Sequence, residues 1–268
     1  MSEAAGLDMT SEAARALKRA GIDSPSWEAR LLLDLAGGDP VRFADYVRRR
    51  ADHEPYSRIR CKREFWSLDL ELSPETLDPR PDSETLIDAA LDCFPGRNRD
   101  LRVIDFGTGS GALLLALLTE FPKATGTGID ILPGAVETAR KNAASLGLSA
   151  RAEFVAGDWS KKNLKPADVV LANPPYIPSG EIDSLQPEVA RFDPRAALDG
   201  GVDGLACYRA LAPVIRRSLK RGGAAFLELG QGQTRPVAAI MEQAGLKLVE
   251  TRQDLARIER CLVFRQAN

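Results

Sequence analysis

The chain reads as an α/β protein, a doubly wound and mostly parallel sheet. A small all-α domain precedes the sheet, and a β-hairpin connector joins the two. Three observations predict this. Residues from Thr10 to about Ala51 carry apolar side chains at helical spacing with no strand signal. Phe65, Leu68, Leu70 and Leu72 then alternate partly with polar residues, a strand or hairpin pattern. From Leu101 onward, short apolar strands alternate with helical segments. The expected boundaries are a small helical domain over 1–62, a connector over 63–82 and the sheet domain over 83–268.

Each element has its own cue. "SEAARALKRAG" is an amphipathic helix stopped by Gly21. "SPSWEARLLLDLAGG" offers Ser24 or Ser26 as cap, has Pro25 near its start and ends at Gly37-Gly38. "DPVRFADYVRRR" has Asp39 as cap and Pro40 at the first helical position. The basic residues Arg48, Arg49, Arg50, Arg58, Arg60, Lys62 and Arg63 read as a solvated helix end and linker, with partner binding as the alternative. Pro79 and Pro81 stiffen the entry to a helix that Asp82 or Ser83 can cap. "LRVIDF", "ATGTGIDI", "AEFVAGD" and "ADVVLAN" are strands, with helices "ALLLALLTEF" and "GAVETARKNAASLG" after the first two. "AAFLELG", the helix "RPVAAIMEQAG", "LKLVET" and "RCLVFRQ" complete the sheet.

Composition excludes several function classes. A chain of 268 residues with 44% hydrophobic content can bury a sizeable core without disulfides or metal. Cys61, Cys93, Cys207 and Cys261 are scattered without a CxxC pair, so neither a zinc site nor a disulfide framework is expected. No long uncharged apolar stretch suggests a membrane, and a reducing cytoplasm is the expected location. The formal net charge of -2 gives no whole-molecule attraction to nucleic acid. The single histidine, His53, lies in a polar linker, which disfavours a mechanism built on a histidine base.

"DFGTGSGAL" follows the first sheet strand directly. Gly107, Gly109 and Gly111 allow positive φ and close approach of backbone to a ligand. Gly107-x-Gly109-x-x-Ala112 fits the dinucleotide fingerprint. The same run resembles the G-x-G-x-G turn of S-adenosylmethionine-dependent methyltransferases, preceded by an acid, here Asp105. Both patterns place an acid at the end of the second strand for ribose hydroxyls, here Asp130. "AGDW" sets Asp158 and Trp159 at the third strand tip, where the resemblance puts an adenine ring. Asn173 ends the fourth strand. Four strand tips thus converge on one ligand, at the carboxyl edge where such sheets bind.

"ANPPYIP" explains why a buried strand ends in a polar amide and two prolines. The prolines fix φ and supply no donors, which aims the Pro174 carbonyl. The Asn173 side-chain oxygen is a second acceptor. Together they can accept both hydrogens of a planar –NH2 group, with Tyr176 packed on its face. Adenine's amine, guanine's amine and a glutamine amide all satisfy this geometry. The chain as a whole resembles the protein glutamine methyltransferases of the HemK/PrmC family. The likeness runs through "REFWSLDLELSPETLDPRPDSETL", "DFGTGSG", "GID", "GDW", "NPPYIP" and "PRAALDGGVDGLACYRAL".

That resemblance implies a Rossmann-like class I methyltransferase sheet, with S-adenosyl-L-methionine as cofactor and peptide chain release factors as protein substrates. It implies no metal, no membrane and no direct nucleic-acid partner. It assigns Gly107, Thr108, Gly109, Ser110, Gly111, Asp130, Asp158, Trp159 and Asn173 to the cofactor. Asn173, Pro174, Pro175 and Tyr176 would hold the target glutamine, with Asn173, Pro174 and Tyr176 at the reacting nitrogen. Nucleic-acid amine methylation and a non-catalytic cofactor-binding adaptor are the alternatives. Glu181, Asp183 and Glu188 beside the tip argue against a phosphate backbone there. The sequence departs from the family at Cys61, Ser67 and Arg257, where glycine is usual, and at Ser83, where threonine is usual. None of the four is expected to touch the cofactor or Asn-Pro-Pro-Tyr tips.

Overall fold

The computed structural model describes residues 3–267. They form two compact units: the described residues up to Lys62 with Gln186–Phe192, and Arg63–Leu185 with the described residues from Asp193 onward.

In the first unit α1 (Glu3–Arg19), α2 (Pro25–Leu35), α3 (Pro40–Ala51) and α4 (Tyr56–Arg60) enclose Leu17, Ala29, Leu32, Phe43 and Ile59. Asp39 caps α3 as expected, accepting from the backbone N–H groups of Val41 at 2.9 Å and Arg42 at 3.2 Å. Ser24 behaves differently. It precedes α2 in a left-handed conformation and makes no side-chain cap bond, so Pro25 alone marks that start. The helix Pro187–Phe192 belongs to this unit, although the sequence reading keeps 83–268 together. Glu188 accepts from Arg50 at 3.2 Å and lies 3.1 Å from His53 Nδ1. Arg191 bonds Asp52 at 2.8 Å. The basic cluster is largely spent on internal pairs: Arg48 with Asp45, Arg49 with Glu54, and Arg50 with Glu28 and Glu188.

The second unit opens with the hairpin β1 (Lys62–Phe65) and β2 (Leu68–Glu71). A 3₁₀ turn at Pro81–Ser83 leads into α5 (Glu84–Cys93). Then follow β3 (Arg102–Phe106), α6 (Ala112–Glu120), β4 (Thr125–Asp130), α7 (Pro133–Ser145), β5 (Ala152–Ala156) and β6 (Ala167–Ala172). The Pro187–Phe192 helix is α8. It precedes α9 (Arg195–Leu198), α10 (Ala206–Ser218), β7 (Leu219–Glu228), α11 (Thr234–Gln243), β8 (Leu246–Gln253) and β9 (Glu259–Gln266). Helices α9 and α10 were not anticipated. In α10, Leu211, Val214 and Ile215 line up at helical spacing, but Pro213 interrupts the pattern.

The sheet order is β5-β4-β3-β6-β7-β9-β8. Pairing is parallel from β5 through β7, and β9 lies antiparallel between β7 and β8. Strand order reverses at the β3–β6 junction, which makes that crevice the switch point where α/β sheets take ligands. Helix α6 is buried from Ala112 through Leu118, which explains its uniformly apolar sequence.

All three positions where glycine is usual in the resembling family adopt positive φ: Cys61 at 58°, Ser67 at 59° and Arg257 at 61°. Trp66 at 51° and Ser67 form the two-residue loop of the β1–β2 hairpin, the arrangement of a type I′ turn. Arg257 sits in the β8–β9 turn that Asp254 builds by accepting from Ala256 at 2.9 Å and Ile258 at 3.0 Å. A left-handed conformation costs an L-residue about 1–2 kcal/mol, and glycine returns roughly 0.5–1 kcal/mol of that through the unfolded chain's entropy. Ser67→Gly and Arg257→Gly should therefore each stabilise the protein by about 0.5–1 kcal/mol. That corresponds to a rise of roughly 1–4 °C in a thermal melt. An unchanged or lower Tm for both would contradict the strain.

Candidate active site

The glycine loop is hung from the neighbouring strand. Gly107 N and Thr108 N both donate to the Ile129 carbonyl, at 2.8 and 3.1 Å. Gly107, Gly109 and Gly111 all have positive φ. A Cβ on Gly107 would come within 3.9 Å of Trp159 and 3.8 Å of the Asn173 carbonyl, so the loop runs between two other strand tips. Asp130 fixes the loop from the side. Its two carboxylate oxygens accept from Gly109 N at 2.9 Å and Leu132 N at 3.0 Å. Burial raises its pKa, and those backbone bonds oppose the rise. Its own carbonyl accepts from Gly157 N at 2.8 Å, which ties in the third tip.

Below the loop, Asp105 is buried and accepts from the Thr108 hydroxyl at 2.6 Å. Burial pushes its carboxyl from 3.8 up to about 7, and the Thr108 bond only partly offsets this. Asn142 on α7 holds the loop to the connector. Its amide donates to the carbonyls of Ser110 (2.9 Å) and Glu71 (3.1 Å), and its oxygen accepts from Glu71 N at 2.7 Å.

The Asn-Pro-Pro-Tyr tip lies beside this loop because β3 and β6 pair with Phe106 opposite Ala172. Its exit is braced by the 194–205 segment. Ile177 N donates to Leu198 O at 3.1 Å, Gly200 N to Ile177 O at 2.8 Å, and Ser179 N to Gly201 O at 2.9 Å. Gln233 donates to the Tyr176 carbonyl at 2.9 Å. Gly204 passes so near that a Cβ there would sit 2.4 Å from that carbonyl. The Tyr176 hydroxyl faces Glu228 at 3.4 Å, and the Asn173 amide nitrogen donates to Ser83 Oγ at 3.2 Å.

These tips enclose a cavity of about 340 Å³. Gly107, Thr108, Gly109, Ser110, Asp130, Trp159, Asn173 and Pro175 line it. Gly111, Pro174 and Tyr176 do not: Gly111 and Pro174 are buried behind, and Tyr176 turns to Glu228. Asp158 does not line it either. Its carboxylate caps the next turn, accepting from Ser160 N at 2.8 Å, with Lys161 3.5 Å away. The Ser160 bonds hold its pKa below the usual carboxylate value. Trp159 packs edge-on against Phe106, with centroids 6.3 Å apart.

The sequence reading missed several lining residues. Ile131, 60% exposed, is a large apolar side chain directly after the strand-end acid, and that adjacency was a usable signal. Glu75 also lines the cavity and accepts from Gly134 N at 2.8 Å, at the start of α7. Ser83 lines it too and bonds Asn173, which corrects the expectation that this departure touches no tip. The acids beside the tip are also less free than their charge suggests. Glu188 meets Arg50 and His53, and Asp183 pairs with Arg195 at 3.2 Å. Among the described residues, no group of three or more His, Cys, Asp or Glu side chains is arranged to hold a metal.

Comparison with known proteins agrees with this geometry. A family model described as a methyltransferase domain matches residues 97–246. The release factor glutamine methyltransferase of Rhodospirillum rubrum is 48% identical, over 93% of this chain and 82% of its own length. That of Caulobacter vibrioides is 43% identical, over 92% and 91%. The chain belongs to the release factor glutamine methyltransferase family. It is a methyltransferase, and its sheet is the Rossmann-like fold of class I methyltransferases. Two solved structures share that fold. A methyltransferase from Pyrococcus furiosus gives a TM-score of 0.54 at 18% identity, covering 75% of this chain and 90% of that one. A ribosomal protein L11 methylase from Lactobacillus delbrueckii subsp. bulgaricus gives 0.53 at 15%, covering 70% and 81%.

The raised Asp105 pKa has a consequence for stability. The unfolded chain releases this proton near 3.8, whereas the folded protein holds it to about 7. The stabilisation is complete below about 4 and is lost as pH rises through about 7. Asp105→Asn should therefore shrink the fall in Tm between pH 5 and pH 8. An identical fall in the variant would place the pH dependence elsewhere.

Proposed function

We propose that this enzyme moves a methyl group from S-adenosyl-L-methionine to the side-chain amide nitrogen of the glutamine in the Gly-Gly-Gln motif of peptide chain release factors. The observation that carries this reading is the adjacency of Asn173 and the glycine loop on one cavity wall. An acceptor for a planar –NH2 group then stands next to a cradle for a nucleoside. Family membership supports the choice of glutamine over a nucleobase amine. The charge argument adds little, because two of the three acids beside the tip are already paired.

The cavity suits the cofactor chemically. Asp130 keeps acceptor capacity for ribose hydroxyls beyond its two backbone bonds. Ile131 and Trp159 offer apolar surface for a flat ring. Backbone at Gly107 and Gly109 lets the ligand approach closely. When bound, the cofactor supplies an electrophilic methyl carbon. The protein's part is to hold the amide nitrogen in line with that carbon, and positioning of this kind is worth about 7–11 kcal/mol. In this reading the Asn173 side-chain oxygen, on the cavity wall, accepts one amide hydrogen, and the Pro174 carbonyl takes the other even though the Pro174 ring is buried outside the lining. They also favour the positive charge that develops on the nitrogen. No strong base is required, which fits a chain whose one histidine pairs with Glu188. The four cysteines are free thiols, and no helix among the described residues is long and apolar enough to cross a membrane. A reducing cytoplasm, where translation terminates, is consistent with both.

Labelled cofactor incubated separately with release factor, DNA and ribosomal RNA tests the reading. Label should appear on the release factor alone and vanish when its Gly-Gly-Gln glutamine becomes alanine. Label on adenine or guanine with unmodified release factor would sink the substrate assignment. Asn173→Ala should lower kcat by about 10²–10³ with a much smaller change in cofactor affinity. Asp130→Ala should weaken cofactor binding roughly tenfold to a hundredfold by calorimetry. It should also lower Tm, because Gly109 N and Leu132 N lose their acceptor. A variant with wild-type affinity and Tm would remove Asp130 from both roles.

A further inference from the structure

Glu228 ends β7 and is 1% exposed. A carboxylate withdrawn from water is costly unless its oxygens are used. One oxygen accepts from the Ser83 hydroxyl at 2.5 Å and the other from the Tyr176 hydroxyl at 3.4 Å. Its main-chain carbonyl accepts from the Tyr208 hydroxyl on α10 at 2.8 Å. Asp82 and Ser83 face it from the turn before α5, Tyr176 from the Asn-Pro-Pro-Tyr loop, and Arg260 and Cys261 from β9. The Arg260 charge is shared, since the guanidinium also lies 3.3 Å from Asp254 and 3.6 Å from Asp82.

This chain of hydrogen bonds has a direction. An ionised carboxylate has no hydrogen to give. Ser83 must therefore spend its single hydroxyl hydrogen on Glu228, and it can only accept from Asn173. Only the –NH2 end of the Asn173 amide can donate, and it does so at 3.2 Å. The amide oxygen is left as the free end.

We propose that Glu228 is a positioning residue that fixes, through Ser83, which end of the Asn173 amide meets the substrate nitrogen. The proposal rests on the reading of Asn173 as acceptor for the glutamine amide. A protonated Glu228 would reverse the chain. It would donate to Ser83, Ser83 would donate to the Asn173 oxygen, and the amide would turn over. An –NH2 group would then face an –NH2 group, and acceptance would be lost. Burial pushes Glu228 from 4.5 up to about 7, with Asp82 adding to the rise and Ser83, Arg260 and Tyr176 opposing it. The competent direction therefore fills as pH rises through about 7.

The test uses the full-length enzyme with its release-factor substrate. The kcat of wild type should rise about tenfold per pH unit below about 7 and then level off. Asp105 titrates in the same range, so the variants assign the step. Glu228→Gln and Ser83→Ala should each lower kcat about tenfold or more and flatten the profile. The KM for release factor and the cofactor affinity should stay within about twofold. The double variant should lose no more than the worse single one, because both act through the same bond. Ser83→Ala removes only a hydroxyl and carries the test if Glu228→Gln melts early. A pH step that persists in the variants, or losses that multiply in the double, would overturn the relay. One readout needs no substrate. The Asn173 side-chain amide resonance, assigned by its loss in Asn173→Ala, should titrate near pH 7 in wild type and not in Glu228→Gln. Titration there without methylation of release factor would sink the proposed function and keep the relay. Methylation with a resonance that does not move would do the reverse.

Discussion

The site depends on one carboxylate that is committed to the backbone. Asp130 holds Gly109 N with one oxygen and Leu132 N with the other, while its carbonyl receives Gly157 N. Three loops from three strand tips are thereby referred to a single residue. The Ile129 carbonyl, Asp105 and Asn142 hold the two ends of the loop above β3, and Asp130 holds its middle at Gly109, where no side chain is available to pack. Residues that freely adopt positive φ are also free to leave it, and Asp130 supplies the restraint that glycine lacks. The β3–β6 register then does the rest, since Phe106 opposite Ala172 places the next residues, Gly107 and Asn173, side by side.

What the sequence made legible was contiguous. Four apolar runs, a glycine loop and Asn-Pro-Pro-Tyr each sit within a few residues, and their spacing carries the physics. What it hid was the support behind them. Ser83 reaches Glu228 across 145 residues and Asn173 across 90, and Asn142 reaches Glu71 across 71. Nothing local marks a serine as a relay rather than a helix cap. Asp158 shows a different ambiguity. An acid at a strand tip serves a ligand or caps the following turn with equal ease, and here Ser160 N takes it. The acid run beside the tip likewise says less than its letters suggest, because Glu188 and Asp183 are already partnered.

The two prolines of the tip carry a structural burden as well as a benefit. They stiffen the chain where an acceptor must be aimed, but they cannot donate hydrogen bonds to anchor themselves. The anchoring comes from outside, through Gln233 on the Tyr176 carbonyl and the turn around Gly200 and Gly204. This gives the Pro-Arg-Ala-Ala-Leu-Asp-Gly-Gly run a physical reason. Its Gly200 lies against Gly204, whose backbone a Cβ there would meet at 2.8 Å, and Gly204 just beyond the run lies in turn against the Tyr176 carbonyl. The run braces the exit of the tip through backbone bonds, and its Ala196 and Ala197 also line the cavity.

The first unit is not a continuous stretch of chain. Its helix α8 is joined to it by Glu188 on Arg50 and His53 and by Arg191 on Asp52, and these partners lie 135 to 139 residues apart. A ribosome making this protein releases α1 to α4 first. It must then complete the connector and the four strands β3 to β6 before α8 exists. Until then, Arg50 and His53 lack one of their acidic partners. The amino-terminal helices are therefore synthesised first but finished late, and their final form waits on α8, which follows the Asn-Pro-Pro-Tyr loop in the chain.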